Sequence, residues 1–172
     1  MCIRDRLISP MIVPLIITAA GMFFFYARIN LVYTFTGVIL AHVALATPFV
    51  VITVTATLTG FDTNLIRASQ SLGADTMRTF FKVIMPLILP GVISGALFAF
   101  ITSFDEVVVV MFVGSVEQIT IPKQMWAGLR QETSPVILCM ATCLVFLSIA
   151  LLTTVELLRR RSERLRGIKL QN

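Results

Sequence analysis

A single histidine, His42, and three scattered cysteines, Cys2, Cys139 and Cys143, deny this 172-residue chain the donor set of a metal centre. Cys139 and Cys143 stand one helical turn apart in an apolar run. Two thiols on one helix face cannot easily close a disulfide, so both are expected as small packing residues. Charge is scarce as well: 13% of the residues are Asp, Glu, Lys or Arg, about half the share a soluble domain carries. The sequence holds no glycine-rich phosphate loop and no nucleophile paired with a base, so neither catalysis nor a cofactor is expected of this polypeptide itself. A pI near 9.6 and a net charge of +5 could point to nucleic acid. The basic residues, however, gather at the ends of apolar runs, which is the pattern of membrane topology rather than of a binding patch.

Apolar residues make up 57% of the chain and the mean hydropathy is +0.93, so the fold class expected is an all-α, multi-pass membrane bundle. Spans are expected at about 7–27, 33–58, 88–112 and 135–158. The first six residues, MCIRDR, read as a non-native start and are set aside. The first span holds no charge from 7 to 26, enough for roughly 30 Å at 1.5 Å per residue, and Pro10 and Pro14 predict a bent beginning. In the second, Pro48 predicts a kink, and His42 is expected to hydrogen-bond a neighbouring helix. Thr53, Thr55, Thr57 and Thr59 are expected to return their hydroxyls to backbone carbonyls. The third opens at Pro90 and carries Gly91, Gly95 and Ala99 at intervals of four, a stripe of small residues along which another helix can approach closely. The fourth opens on Ser134 as a cap with Pro135 at the first helical position.

Thr102 and Glu106 continue the stripe, with Asp105 beside it roughly 22 Å from Pro90. An unpaired carboxylate at membrane depth costs at least about 2.5 kcal/mol, so these acids need a partner or water. Two readings stay open. In one the acids line a path for a cationic solute. In the other the helix ends near Phe104 and the acids cap it or pair with Lys123 or Arg130. Residues 114–134 then form an outer connection with a short helix, Pro122 in its first turn and Met125, Trp126 and Leu129 on one side, Trp126 acting as an interfacial anchor. Residues 159–172 are a basic tail, with Arg159, Arg160, Arg161, Arg164, Arg166 and Lys169 against Glu163, and Glu156 is expected to pair with these arginines. Because positive residues are retained inside, the tail and the loop at 60–87 are expected to be cytoplasmic, leaving only Arg28, Lys123 and Arg130 outside.

The loop at 60–87 is polar and basic yet patterned as two short helices separated by Gly73, the second carrying Phe80, Phe81, Ile84 and Leu87 toward Pro86 and Pro90. Its spacing resembles the cytoplasmic EAA loop of ATP-binding-cassette importer permeases, which reads Glu-Ala-Ala, three residues, Gly, nine residues and Ile-any-Leu-Pro. Arg67, Ala68 and Ser69 take the first places, Gly73 the glycine, and Val83, Met85 and Pro86 the last. Arg67 replaces the glutamate and Ser69 the second alanine, so no carboxylate stands at the first place. HVALATPFVV, GALFAFITSFDEVVVVMFVG and IPKQMWAGLRQETSP extend the resemblance over about 10–157 and look like the spermidine/putrescine branch of type I permeases.

The resemblance implies a subunit of the bacterial inner membrane that pairs with a second permease chain, different from this one, and receives solute from a periplasmic binding protein. It also implies a coupling site, Arg67, Ala68, Ser69, Gly73, Ala74 and Pro86, seated on a cytoplasmic ATPase dimer, and two further helices before residue 7. Asp105, Glu106 and Thr102 would lie along the path of a polyamine or another small solute. An ion-coupled transporter using Asp105, Glu106 and His42 would leave the loop at 60–87 unexplained, and a scaffold without transport would account for the small-residue stripe but leave the acids without purpose.

Overall fold

The computed structural model describes residues 3–131 and 135–165, all of whose regular elements are helical. In chain order these are α1 (Ile3–Ile12), α2 (Leu15–Arg28), α3 (Phe35–Thr59), α4 (Asn64–Ser71), α5 (Thr76–Thr79), a π turn (Phe80–Ile84), α6 (Met85–Phe104), α7 (Val108–Val113), α8 (Ile121–Gln131) and α9 (Pro135–Leu165). Two compact units result. One joins residues up to Thr18 with Leu40–Phe104, and the other joins Ala19–Ile39 with the chain from Asp105 onward.

The bend expected in the first span is a full break. Pro14 has no N–H to give the Pro10 carbonyl, so α1 stops and α2 restarts beyond it, with Ile17 and Thr18 donating to the Pro14 carbonyl at 2.9 and 3.1 Å. The halves are 10 and 14 residues long, and 14 residues reach only about 21 Å. Phe35–Thr59, Thr76–Phe104 and Pro135–Thr154 are each long and apolar enough to cross a bilayer.

The span expected at 88–112 is redrawn at both ends. Its helix begins neither at 88 nor at Pro90: α5, the π turn and α6 run as one helix from Thr76 to Phe104 with Pro86 and Pro90 inside it. A proline in a helix interior normally clashes with the carbonyl four residues back, here Lys82. The wider turn lies directly before Pro86, with Met85 N–H reaching back to the Phe80 carbonyl, and it relieves that crowding without ending the helix. At the other end the helix stops at Phe104 rather than 112, and Val108–Val113 is a separate short helix. Likewise α9 does not stop at 158. It continues to Leu165, and its 31 residues extend about 46 Å. Ser134 and the end of the tail, including Arg166 and Lys169, lie outside the described residues, as do the side chains of Arg159, Arg160, Arg161, Glu163 and Arg164.

In the first unit α3 and α6 lie antiparallel in close register. Gly91 faces Thr57, Gly95 faces Thr53 and Val50, Phe98 stacks on Phe49 with ring centroids 6.4 Å apart, and Ser103 Oγ lies 2.9 Å from His42 Nδ1. The glycines of the stripe are buried against this helix, and His42 makes the interhelical hydrogen bond expected of it. Thr53, Thr57 and Thr59 return their hydroxyls to the carbonyls of Phe49, Thr53 and Ala56 at 2.7–2.9 Å, which keeps polar atoms on an apolar helix satisfied. Cys139 and Cys143 are exposed on α9 rather than packed within the chain.

Candidate functional site

The polar loop is a helical hairpin built by local chemistry. Asp62 Oδ1 accepts from Asn64 N–H at 2.9 Å just ahead of α4. At the other end Gly73 takes φ +80°, and two reverse bonds close the helix: Gly73 N–H to the Gln70 carbonyl at 2.9 Å and Ala74 N–H to the Ser69 carbonyl at 3.1 Å. This pair is a Schellman motif, which satisfies carbonyls that a helix end leaves orphaned and requires a left-handed residue. Two residues later Asp75 caps α5, its Oδ1 accepting from Arg78 N–H at 2.9 Å. Ser69 Oγ meets Thr79 Oγ1 at 2.9 Å across the turn.

Of the residues predicted for coupling, Arg67, Ala68 and Gly73 are exposed, and Ser69 and Ala74 half-buried at the turn. Pro86 lies apart from them, inside α6 beyond the π turn. The sequence reading missed Leu72 and Met77. They are 88% and 65% exposed on either side of Gly73, an apolar tip on an otherwise polar hairpin. Each interrupts the polar pattern of 67–78 singly, too weak a signal to be noticed without the turn that brings both to the tip.

Beyond Phe104 the two acids part company. Glu106 is 6% exposed, and its Oε1 accepts from Val109 N–H at 2.7 Å in the first turn of α7. Asp105 is exposed. The capping alternative therefore describes Glu106, although the helix it caps is the following one. Among the described residues neither Lys123 nor Arg130 is paired with an acid: Lys123 Nζ donates to the carbonyls of Ser115 and Gln118 at 2.9 and 3.3 Å, and the Arg130 guanidinium stands 5.5 Å from the Trp126 ring centroid. Thr102 returns its hydroxyl to the Phe98 carbonyl at 2.9 Å. Gln118, also missed from sequence, braces the outer connection by accepting from Ser115 N–H at 2.8 Å and donating to the Tyr33 carbonyl at 3.1 Å.

These roles differ in what they tolerate. Glu106→Gln keeps an acceptor for Val109 N–H and is expected to leave thermal stability in detergent nearly unchanged, whereas Glu106→Ala orphans a buried donor and costs about 1–3 kcal/mol. Asp105→Asn should leave the melting temperature where it is. An equal loss of stability in Glu106→Gln and Glu106→Ala would show that the negative charge, not the cap, is what that position needs.

Comparison with known proteins agrees with this architecture. The chain is 32% identical over 160 residues to the spermidine/putrescine transport system permease protein PotC of Haemophilus influenzae, covering 93% of this chain and 62% of the relative. It is 30% identical over 158 residues to PotC of Escherichia coli K12, covering 92% and 60%, and 33% identical over 106 residues to the putrescine transport system permease protein PotI of the same strain, covering 62% and 38%. It thus spans about three fifths of the length of the PotC relatives. The fold is shared with an inward-facing structure of the MetNI methionine ABC transporter, at a TM-score of 0.73 and 22% identity over 93% of this chain and 72% of that one. Residues 5–165 match the family as a whole, and with its helical hairpin set between two membrane-length helices this chain belongs to the binding-protein-dependent transport system inner membrane components.

Proposed function

We propose that this chain is the membrane-spanning permease subunit of an ATP-driven importer and carries a polyamine. The observation that supports it most directly is the hairpin at 62–79: a turn held by a left-handed glycine, an apolar tip at Leu72 and Met77, and a rigid continuation through the π turn into a membrane-length helix. A protruding element of this kind suits a cleft on a cytoplasmic ATPase subunit, and helix continuity to Phe104 gives motion at the tip a mechanical route into the bilayer. The partners are two ATPase subunits, a second permease chain and an external solute-binding protein. The hairpin and the basic tail face the cytoplasm, consistent with the retention of positive residues on that side.

The polyamine assignment follows the PotC and PotI relatives and the exposed carboxylate of Asp105, since Glu106 is committed to the α7 backbone. The test is uptake of radiolabelled putrescine and spermidine by membrane vesicles containing the full-length gene, its companion subunits and the binding protein, with ATP inside and ion gradients collapsed. Uptake that requires ATP and survives the collapse is the expected result, and Asp105→Asn should reduce it at least about tenfold with the ATPase still bound, one lost charge contact in a low-dielectric path. Uptake driven by an ion gradient without ATP would overturn the importer. Failure of both polyamines with the ATPase bound would keep the importer and discard the cationic solute.

A further inference from the structure

Thr79 is the one buried side chain among the described residues of 61–87, at 2% exposure in an otherwise exposed hairpin. Its hydroxyl contacts Ser69 Oγ at 2.9 Å, and Ser69 Oγ in turn lies 2.8 Å from the Ile66 carbonyl. Each hydroxyl has a single proton. With the Ser69 proton given to the Ile66 carbonyl, Thr79 must be the donor between the two, so a directed chain runs from Thr79 through Ser69 to the backbone of α4. This chain spans the Gly73 turn and is the hydroxyl-to-hydroxyl link between α4 and the helix that continues into the membrane. Ser69 occupies the place where the EAA pattern has its second alanine, a residue that could not make this bond.

We infer that Ser69 and Thr79 are a positioning pair: their hydrogen bond sets the angle between α4 and α5 before the ATPase arrives. The inference rests on the proposed function, because the fixed angle matters only if the hairpin docks. A pre-set hairpin loses no freedom on docking, whereas one held by the Gly73 turn alone must be ordered by its partner at the expense of affinity. The Schellman bonds fix the end of α4, and Asp75 fixes the start of α5, but each acts within its own helix end. The Ser69–Thr79 bond ties one helix to the other. Thr79 is itself buried, at 2% exposure, and acts through the hairpin's shape.

The experiment measures binding of the purified ATPase subunit to the detergent-solubilised permease complex containing the full-length chain, with no solute present, alongside the melting temperature of the same complex. Thr79→Val keeps the shape and removes the hydroxyl, and it should weaken binding about fivefold or more, while Thr79→Ser restores it. Ser69→Ala should match Thr79→Val, and the double variant should be no weaker than either single one, since both remove one shared bond. Melting temperatures should stay together throughout. Binding of Thr79→Val equal to wild type would overturn the pair, as would Thr79→Ser being as weak as Thr79→Val, because the methyl group would then be the important part. If Thr79→Val does not assemble, Ser69→Ala decides in the same way. Wild-type complex that fails to bind the ATPase at all would instead remove the proposed function on which the pair depends.

Discussion

Gly73→Val is expected to weaken ATPase association by more than tenfold while the membrane helices melt as before. At φ +80° an L residue is strained by about 1–2 kcal/mol and a β-branched one by more, and each 1.4 kcal/mol lowers the population of the docking-competent turn tenfold. Space inside the chain is not the obstacle, because a Cβ at Gly73 would meet nothing within 4 Å. The cause therefore predicts an order: asparagine, which tolerates the left-handed region, should be milder than alanine, and alanine milder than valine. Pull-down of ATPase subunits by the full-length permease, quantified across the four versions, checks it. If asparagine were as damaging as valine, the glycine would be needed for room against the partner rather than for its backbone, and if valine bound normally the turn would have no part in docking.

A second large effect is expected where α6 crosses α3. A Cβ at Gly95 would stand 3.0 Å from Val50 Cα and against Thr53 Oγ1, so the helices must separate along their whole line of contact. Overpacking of this kind costs about 1–3 kcal/mol for a single methyl group and more for valine, and Gly95→Val should sharply reduce the yield of monodisperse protein. Gly91 offers a comparison. Its nearest neighbours are the Oγ1 and Cβ of Thr57, followed by the Thr53 carbonyl at 3.1 Å. Removing the nearest hydroxyl should rescue neither alanine fully: Thr57→Ala leaves Thr57 Cβ at 2.9 Å and the Thr53 carbonyl at 3.1 Å from the new Cβ of Gly91→Ala, and Thr53→Ala leaves Val50 Cα at 3.0 Å from that of Gly95→Ala. Melting temperatures in detergent decide the matter. Full rescue at either site would mean that α3 yields as a body and that the contact is less tight than its geometry implies.

The amino-acid sequence by itself determined that this chain is a helical membrane protein, since uncharged runs of some 20 residues have few other stable states. It also determined that 60–87 holds two short helices separated by Gly73, because a glycine that ends a helix acts over four or five residues, whereas the Asp75 cap that starts the second helix emerged only in the structure. The stripe of Gly91 and Gly95 announced a close approach in the same way, since four-residue spacing puts both on one face whatever lies opposite. What lies opposite, Thr53 and Thr57, depends on the register of two helices more than 30 residues apart, and no local period encodes that.

Prolines were ambiguous for a related reason. Pro14 ends a helix and Pro86 does not, and directly before Pro86 lies the π turn, a backbone adjustment with no residue pattern of its own. Asp105 and Glu106 were indistinguishable as letters. Only the break after Phe104, with α7 restarting where Val109 N–H needs an acceptor, spends one carboxylate on the backbone and leaves the other exposed. The Ser69–Thr79 bond belongs to the same class. Two common hydroxyls ten positions apart acquire a shared role only after Gly73 has folded one helix back on the other, because hydrogen bonds depend on distances of about 3 Å that the turn alone creates.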